Sequence, residues 1–320
     1  MNLLARGVLL TWTTLCGVTS LTGNIVVLIS SLKYRAISLD KVSVCLICHL
    51  AASDLIYTCI YILPTILTII CDRWVYGDFL CVVSPYVALY SATVSTLILC
   101  GLALSKLTCL IWPLRAMVRS TRTGKVIAGS IWAVSILPFL PFMHSGLQYY
   151  QKMMFRCISS EASVESGEIE EWSRWAAIGA ACFAIYLPVL TVTFTTIKMI
   201  FFVKKVSGIQ KQAVMTMIAI SCLFSVSLLP YGVEMTLKAT INEYPQVLTT
   251  FTTFIVFLNY TCNPVVYYFT IKSFKRFVQK HLNVMRISMK SKMDKAELPM
   301  TQQSGVMPSH QDITIKVLRN

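Results

Sequence analysis

The sequence carries little charge for its length. Of its 320 residues, 13% are charged, whereas about a quarter is usual for a water-soluble domain. Hydrophobic residues make up 56% of the chain, and its mean hydropathy is +0.67. This composition excludes disordered, coiled-coil and ordinary cytosolic proteins. We therefore expect the surplus apolar surface to face lipid.

The signatures of enzymes and of disulfide frameworks are also missing. The chain has no nucleophile elbow, metal-binding motif or glycine-rich phosphate loop. Its four histidines are dispersed, at His49, His144, His281 and His310. We therefore expect neither an enzyme nor catalytic residues. The twelve cysteines are spread through apolar stretches of a chain much longer than small disulfide-dependent domains, so at most a few should be bridged.

Seven apolar stretches are long enough to cross a bilayer as helices, which requires roughly 20 residues each. They run approximately from Val8 to Leu32, Val44 to Ile70, Cys81 to Ile111, Val126 to Ser145, Trp175 to Val203, Ala213 to Leu237, and Val247 to Thr270. The sequence therefore predicts an all-α membrane protein. Its seven-helix bundle spans residues 8–270 and follows a short extracellular segment, residues 1–7.

The positions of lysine and arginine predict how the bundle is oriented. One side of the membrane receives 21 of the 28 basic residues and the other side six, while Lys106 lies at a helix end. The positive-inside rule then places the N-terminus outside the cell and the C-terminus in the cytoplasm, as in a multi-pass protein of the plasma membrane. Because the net charge of +14 is divided among loops and tail, it gives no support to a nucleic-acid partner.

A basic amphipathic segment follows the seventh span. Phe274, Phe277 and Val278 share one helical face there, and lysine and arginine occupy the others. This pattern predicts an eighth helix over residues 271–283, lying among the inner lipid headgroups. Residues 284–320 have no sustained period and are interpreted as a flexible cytoplasmic tail.

Polar residues at bilayer depth are costly and are therefore functional candidates. Asp54 lies in the middle of the second span, and Asn24, Ser95, Asn259 and Asn263 lie at similar depth on other helices. A carboxylate surrounded by hydroxyl and amide oxygens suits a small hard cation, which makes Asp54 a possible Na⁺ site. A water-filled polar network without an ion is equally compatible with these residues.

Taken in chain order, the landmarks of residues 8–283 resemble the class A, rhodopsin-like G-protein-coupled receptors. They are Gly23 and Asn24, Asp54, Trp74, Gly77, Cys81, Trp132, Cys157, Pro188, Phe224, Pro230, and the NPVVY motif from Asn263 through Pro264 to Tyr267. The resemblance implies a receptor that senses an extracellular ligand and transmits a helix rearrangement to a heterotrimeric G protein or arrestin. It also implies a Cys81–Cys157 disulfide, although pairing of either with Cys71 stays open. The polar cluster around Asp54 is similar to the family's sodium pocket.

The sequence departs from this family where coupling is expected. The family's Asp-Arg-Tyr triplet is replaced here by Ser105, Lys106 and Leu107. The lysine ammonium is a point charge, whereas the arginine guanidinium is planar and has several hydrogen-bond donors. Ser105 removes the basic residue's resting partner, and Gln210 supplies no other acid. We therefore expect either raised basal signalling or weakened G-protein engagement. The switch positions also include Leu228, which replaces a tryptophan, together with Phe224, Pro230, Pro264 and Tyr267.

The predicted ligand pocket is mostly apolar. Ala88 replaces the aspartate of amine receptors and Phe257 replaces the lysine that holds retinal, which disfavours both ligand types. Its predicted wall consists of Ala88, Leu89, Ala92, Tyr231, Glu234 and Phe254. Glu234 favours a cationic ligand or a basic peptide, but the sequence does not identify the ligand.

Two alternative functions stay open at this point. A weakly signalling or non-signalling partner that forms heterodimers with other receptors would be consistent with the altered switches. A transporter would also use a buried aspartate and kinked helices. It would ordinarily show repeated halves or paired broken helices, and the sequence shows neither.

Overall fold

The computed structural model describes residues 3–32, 40–114, 119–138, 140, 171–205, 208–241 and 246–296. All regular secondary structure within these ranges is helical, as predicted. The ten α-helices considered below are α1 (Leu3–Leu32), α2 (Lys41–Tyr57), α3 (Leu63–Cys71), α4 (Gly77–Ile111), α5 (Thr121–Val134), α6 (Glu171–Ala181), α7 (Leu187–Val203), α8 (Gly208–Thr240), α9 (Gln246–Thr270) and α10 (Lys272–Ala296).

Most helices begin a few residues before the apolar stretches that predicted them. Thus α1 begins at Leu3 and α8 at Gly208, ahead of the predicted Val8 and Ala213. Polar residues at helix ends stay helical when their backbone groups are capped. Asp40 caps α2 by accepting hydrogen bonds from the backbone nitrogen of Ser43 at 3.0 Å and from its hydroxyl at 2.7 Å.

Two spans contain a π-helical turn directly before a proline-containing segment. Thr58–Ile62 joins α2 to α3 ahead of Pro64, and Cys182–Tyr186 joins α6 to α7 ahead of Pro188. Proline lacks an N–H donor and its ring crowds the preceding turn, so a wider turn accommodates it. Pro230 and Pro264 lie inside α8 and α9.

The helices of residues 1–275 form a closed ring. Neighbouring pairs in contact are α1 with α2, α2 with α4, α4 with α7, α7 with α8, α8 with α9, and α9 with α1. α5 packs against α2 and α4. The prediction of an all-α, seven-helix bundle is confirmed, with α2–α3 and α6–α7 each forming one continuous span.

Burial in this bundle is inverted relative to a water-soluble protein. Large apolar side chains such as Leu190, Phe201 and Phe269 are exposed by 68%, 70% and 75%, whereas Asn24 and Asp54 are exposed by 1% and 0%. Such a surface is stable in hydrocarbon, where the ring interior satisfies the polar groups. Five helical segments of the described residues are long and apolar enough to span a membrane, and a sixth qualifies when α9 is taken with α10.

Two helices end at residues other than those predicted. In the fourth span, α5 ends at Val134, and residues 139 and 141–145 of the predicted extent lie outside the described residues. α10 continues to Ala296 instead of ending at residue 283. Residues 284–296 contain no proline or glycine and many good helix formers, which explains the extension. Residues Arg276–Asn320 form a separate compact unit from Met1–Lys275.

Candidate functional site

The bundle has two ends, which are named here by the chain segments that reach them. The amino end is where α1 begins, and the tail end is where α9 ends at Thr270. Asp40 precedes α2 at the tail end, and the first turns of α4 lie at the amino end.

The polar core is centred on the carboxylate of Asp54. Ser95 of α4 donates to its Oδ1 at 2.8 Å, and Nδ2 of Asn263 in α9 donates to its Oδ2 at 3.0 Å. Ser53 shares a 2.8 Å hydrogen bond with Ser95, and Asn263 Nδ2 also reaches the carbonyl of Asn259 at 3.2 Å. One buried carboxylate therefore joins three helices across the ring.

Among the described residues, the hydrogen bonds of Asn24 go to a neighbouring network and not to the Asp54 carboxylate. Its Nδ2 donates to the carbonyl of Ser20 at 3.0 Å and to the carbonyl of Tyr260 in α9 at 3.1 Å. Ser20 pairs with Thr58 at 2.6 Å, and Thr58 donates to the carbonyl of Asp54 at 2.7 Å. The two networks meet at the backbone of Asp54. Sequence reasoning missed Ser20, Ser53 and Thr58, because serine and threonine are common in membrane helices.

The donor set around Asp54 fits a small monovalent cation. Asp54 is the acid at the centre of this site, and within the described residues no group of three or more His, Cys, Asp or Glu side chains could hold a metal ion. Hydroxyl oxygens of Ser53 and Ser95 lie beside this acid. A carboxylate with neutral oxygen ligands suits Na⁺ better than a transition metal.

A small cavity lies on the amino-end side of the core. Its volume is about 30 Å³, and Ala88, Leu89, Ala92 and Tyr231 of the predicted pocket line it, together with the switch residue Leu228. A cavity of this size holds a water molecule or two, because one water requires about 10–15 Å³ of such volume. Pockets for drug-sized ligands measure roughly 300–1,000 Å³. A ligand of that size can therefore enter here only if the helices spread.

The other two predicted pocket residues lie outside the lining of this cavity. Glu234 of α8 is 1% exposed, and the hydroxyl of Thr252 in α9 donates to its Oε2. The carbonyl of Phe254 accepts a hydrogen bond from Trp12 Nε1 of α1 at 3.0 Å, and its ring packs edge-on against Phe257. Of the acids whose side chains the structure describes in the amino-end half, Glu234 is the buried one.

At the tail end, Lys106 has an acidic partner that sequence reasoning missed. Its Nζ donates to Asp40 Oδ2 at 2.6 Å, and the Lys106 side chain is 8% exposed. Burial raises the pKa of Asp40, but the Lys106 charge and the hydrogen bonds from Ser43 outweigh it and hold the pKa below its ordinary value. The expectation that Lys106 has no resting partner is therefore wrong. The pair links α4 to α2, where the family's triplet uses an adjacent acid.

Two further contacts complete the tail end. Ser105, which replaces the triplet's acid, accepts a hydrogen bond from Arg119 at 3.4 Å. Gln212, near the start of α8, donates through Nε2 to the carbonyl of Thr270, the last residue of α9. Gln210, which supplies no acid for Lys106, is exposed. A neutral amide at residue 212 gave no recognisable signal in the sequence.

The other switch residues are packed inside the ring. Phe224, Leu228 and Tyr267 are buried, and the ring of Tyr267 packs edge-on against Phe274. Pro264 packs against Gly23, where an added Cβ would lie 2.7 Å from the proline Cβ. Their roles in signalling stay predictions.

Only one cysteine of the predicted disulfide lies within the described residues. Cys81 is disulfide-bonded, but Cys157 lies outside the described residues. Cys71 carries a free thiol, so it is not the partner of Cys81. The Cys81–Cys157 pair stays a prediction.

Comparison with known proteins supplies the family. Residues 23–267 match the family model of the 7 transmembrane receptor (rhodopsin family). The chain is 26% identical over 264 residues to a QRFP-like peptide receptor of Branchiostoma floridae, covering 72% of this chain and 66% of that protein. It is 25% identical over 274 residues to a pyroglutamylated RF-amide peptide receptor of Rattus norvegicus, covering 76% and 62%.

A third relative is an RYamide receptor of Tribolium castaneum, which is 22% identical over 264 residues, covering 74% of this chain and 71% of that protein. The chain spans less than two thirds of the length of the first two relatives. The family model, in contrast, covers more than half of this chain and contains both the Asp54 core and the Lys106 region. The chain therefore belongs to the rhodopsin family of seven-transmembrane receptors.

Proposed function

We propose that the protein is a G-protein-coupled receptor of the plasma membrane that is activated by an extracellular peptide. Its amino end faces outside and its tail end faces the cytoplasm, as the excess of lysine and arginine at the tail end favours. Its partners are a heterotrimeric G protein or arrestin. The observation that carries the proposal is the Asp54 core, which joins α2, α4 and α9 inside a bundle of this family.

The names of the relatives support an amidated peptide as the ligand class. RF-amide and RYamide denote, in one-letter code, an arginine followed by an aromatic residue and an amide. Glu234 is buried at the amino end, where it accepts a hydrogen bond from Thr252, and its carboxylate has the charge that pairs with a guanidinium. The neighbouring cavity, lined by Ala88, Ala92 and Tyr231, is apolar and suits an aromatic ring once the helices spread.

A double-mutant cycle tests this ligand assignment. Binding of a labelled Arg-Phe-amide peptide is compared with that of the same peptide carrying citrulline, which keeps the shape of arginine but lacks its charge. The wild-type receptor should prefer the arginine peptide by 10-fold or more, and Glu234→Gln should remove most of that preference. If Glu234→Gln weakens both peptides equally, Glu234 does not receive the arginine. If neither peptide binds to the wild type, the peptide class is wrong.

We further propose that Na⁺ binds at Asp54 in the resting state. Asp54 would supply the charged ligand, while Ser95 and Ser53 supply hydroxyl oxygens, and the ion would strengthen the link between α2 and α4. Replacing K⁺ by Na⁺ at constant ionic strength should then raise the melting temperature of the purified receptor. The same exchange should have no effect on Asp54→Asn, which controls for general salt effects. An equal response of both proteins would exclude a sodium site at Asp54.

The Lys106–Asp40 pair favours a second candidate, a receptor-like partner that signals weakly. An ammonium held by Asp40 is not free to engage a cytoplasmic protein. Recruitment of G protein and arrestin after peptide binding separates the two candidates. Binding with recruitment supports the receptor, and binding without recruitment of either supports the partner.

A further inference from the structure

At its tail end, the bundle is held by polar contacts that do not join α4 to α8. Lys106 of α4 pairs with Asp40 ahead of α2, and Gln212 of α8 donates to Thr270 of α9. Among the described residues, no hydrogen bond or ion pair joins the segment 208–229 of α8 to α4. The ion pair therefore restrains α4 relative to α2, and the hydrogen bond restrains α8 relative to α9.

The ion pair between Lys106 and Asp40 adds to a connection that already exists. α2 and α4 are also joined at mid-depth, where Ser95 bonds both to Asp54 at 2.8 Å and to Ser53 at 2.8 Å. These mid-depth hydrogen bonds remain when the ion pair is removed. The relative position of α2 and α4 should therefore stay unchanged without the pair.

The hydrogen bond of Gln212, in contrast, lies far from the point where α8 can bend. Pro230 lies inside α8 and removes a backbone hydrogen bond, so the helix can bend there. Gln212 lies about 27 Å from this hinge along the helix, at about 1.5 Å per residue. A contact at that distance opposes rotation about Pro230 more effectively than a contact near the hinge.

We propose that the hydrogen bond from Gln212 to the Thr270 carbonyl is the polar restraint that holds the tail end of α8 in the resting bundle. The Lys106–Asp40 pair stabilises α4 against α2 and does not restrain α8. The inference goes beyond the proposed receptor function, and it concerns a movement that is measurable without ligand or G protein. The neutral amide of Gln212 thus holds α8, whereas Lys106 pairs with Asp40 ahead of α2.

Distance measurements between spin labels test the proposal directly. Genetically encoded labels replace Met215 on α8 and Ile111 at the end of α4, both of which are exposed. Encoded labels are needed because the described residues include ten free cysteines. Met215 lies about 22 Å from Pro230, so each 10° of rotation there moves the label by about 4 Å.

Gln212→Glu keeps the size of the side chain but replaces its donor by a carboxylate that repels the carbonyl of Thr270. The distance distribution should broaden towards longer values by about 4 Å or more. Gln210→Glu introduces the same change at an exposed residue two positions away and should leave the distribution unchanged. Gln212→Met removes the donor without adding charge and should broaden the distribution as well, which decides the question if the glutamate variant does not fold.

The double variant Asp40→Asn with Lys106→Met removes the ion pair without leaving an unpaired charge. It should lower the melting temperature but keep the wild-type distance distribution. The proposal is overturned if both Gln212 variants keep the wild-type distribution. It is also overturned if the ion-pair variant broadens the distribution as much as Gln212→Met does. Because no peptide is present, these outcomes do not depend on the ligand assignment.

Discussion

Gly23 lies where α1 meets α9, and its replacement by alanine should weaken the bundle. A Cβ at this position would lie 2.7 Å from Cβ and 2.8 Å from Cγ of Pro264. Carbon atoms pack at about 3.5–4.0 Å, so the two helices must separate by nearly 1 Å. The proline ring has no rotamer that moves it away. Overpacking of this kind costs about 1–3 kcal/mol.

The melting temperature of the purified receptor measures this cost, with Gly129→Ala in α5 as the matched control. Nothing lies within 4 Å of a Cβ added at Gly129. Because alanine favours helix over glycine by up to about 1 kcal/mol, this control should be neutral or slightly stabilising. Gly23→Ala should lower the melting temperature by several degrees. If both variants behave alike, the close approach of α1 to Pro264 is wrong.

The remaining predictions concern three charged groups outside the α8–α9 contact. Arg6 donates to the carbonyls of Ile69 and Ile70 at 2.8 and 2.6 Å, so Arg6→Met should cost about 1–3 kcal/mol in thermal unfolding. Asp72→Asn should cost little, because Asp72 is 82% exposed and lies 3.8 Å from Arg6. The pKa of Asp40 lies below its ordinary 3.8, so its pairing stabilises the folded state above about pH 4 and is lost as pH falls through the lower folded-state pKa. The difference in melting temperature between wild type and Asp40→Asn should therefore stay constant from pH 8 to about pH 5 and shrink in stronger acid; growth of that difference on acidification would contradict the pairing.

Hydropathy was sufficient to predict the all-helical bundle, because a helix in lipid must satisfy its own backbone. The same rule marked Asp54 as a buried functional residue, since a carboxylate at that depth requires partners. Ser95 and Asn263 were predictable partners because they are polar at similar depth. That Asn24 bonds the Tyr260 carbonyl depends on how α1 is rotated, which hydropathy does not determine.

The contacts at the tail end were not predictable in the same way. Lys106 and Asp40 are 66 residues apart, and Gln212 and Thr270 are 58 apart. Their meeting depends on helix rotation and on where each helix ends. One local signal was available, because Asp is a preferred N-cap residue and Asp40 caps the start of α2. The small volume of the cavity also required coordinates, because it depends on side-chain packing.

The length of α10 shows the limit of judging order by periodicity. Residues 284–296 lack a sustained apolar pattern and were interpreted as a flexible tail. Their composition favours helix, with methionine, lysine and arginine prominent and no proline or glycine. Helix propensity was therefore the better indicator for this segment.

Nucleotide exchange on purified heterotrimeric G proteins tests the proposed receptor function most directly. The full chain is reconstituted in lipid discs, and exchange is measured with and without amidated peptides that end in Arg-Phe or Arg-Tyr. The account predicts that at least one such peptide accelerates exchange, and that Glu234→Gln reduces its potency. Peptide binding that leaves exchange and arrestin recruitment unchanged for every transducer tested would contradict a signalling receptor.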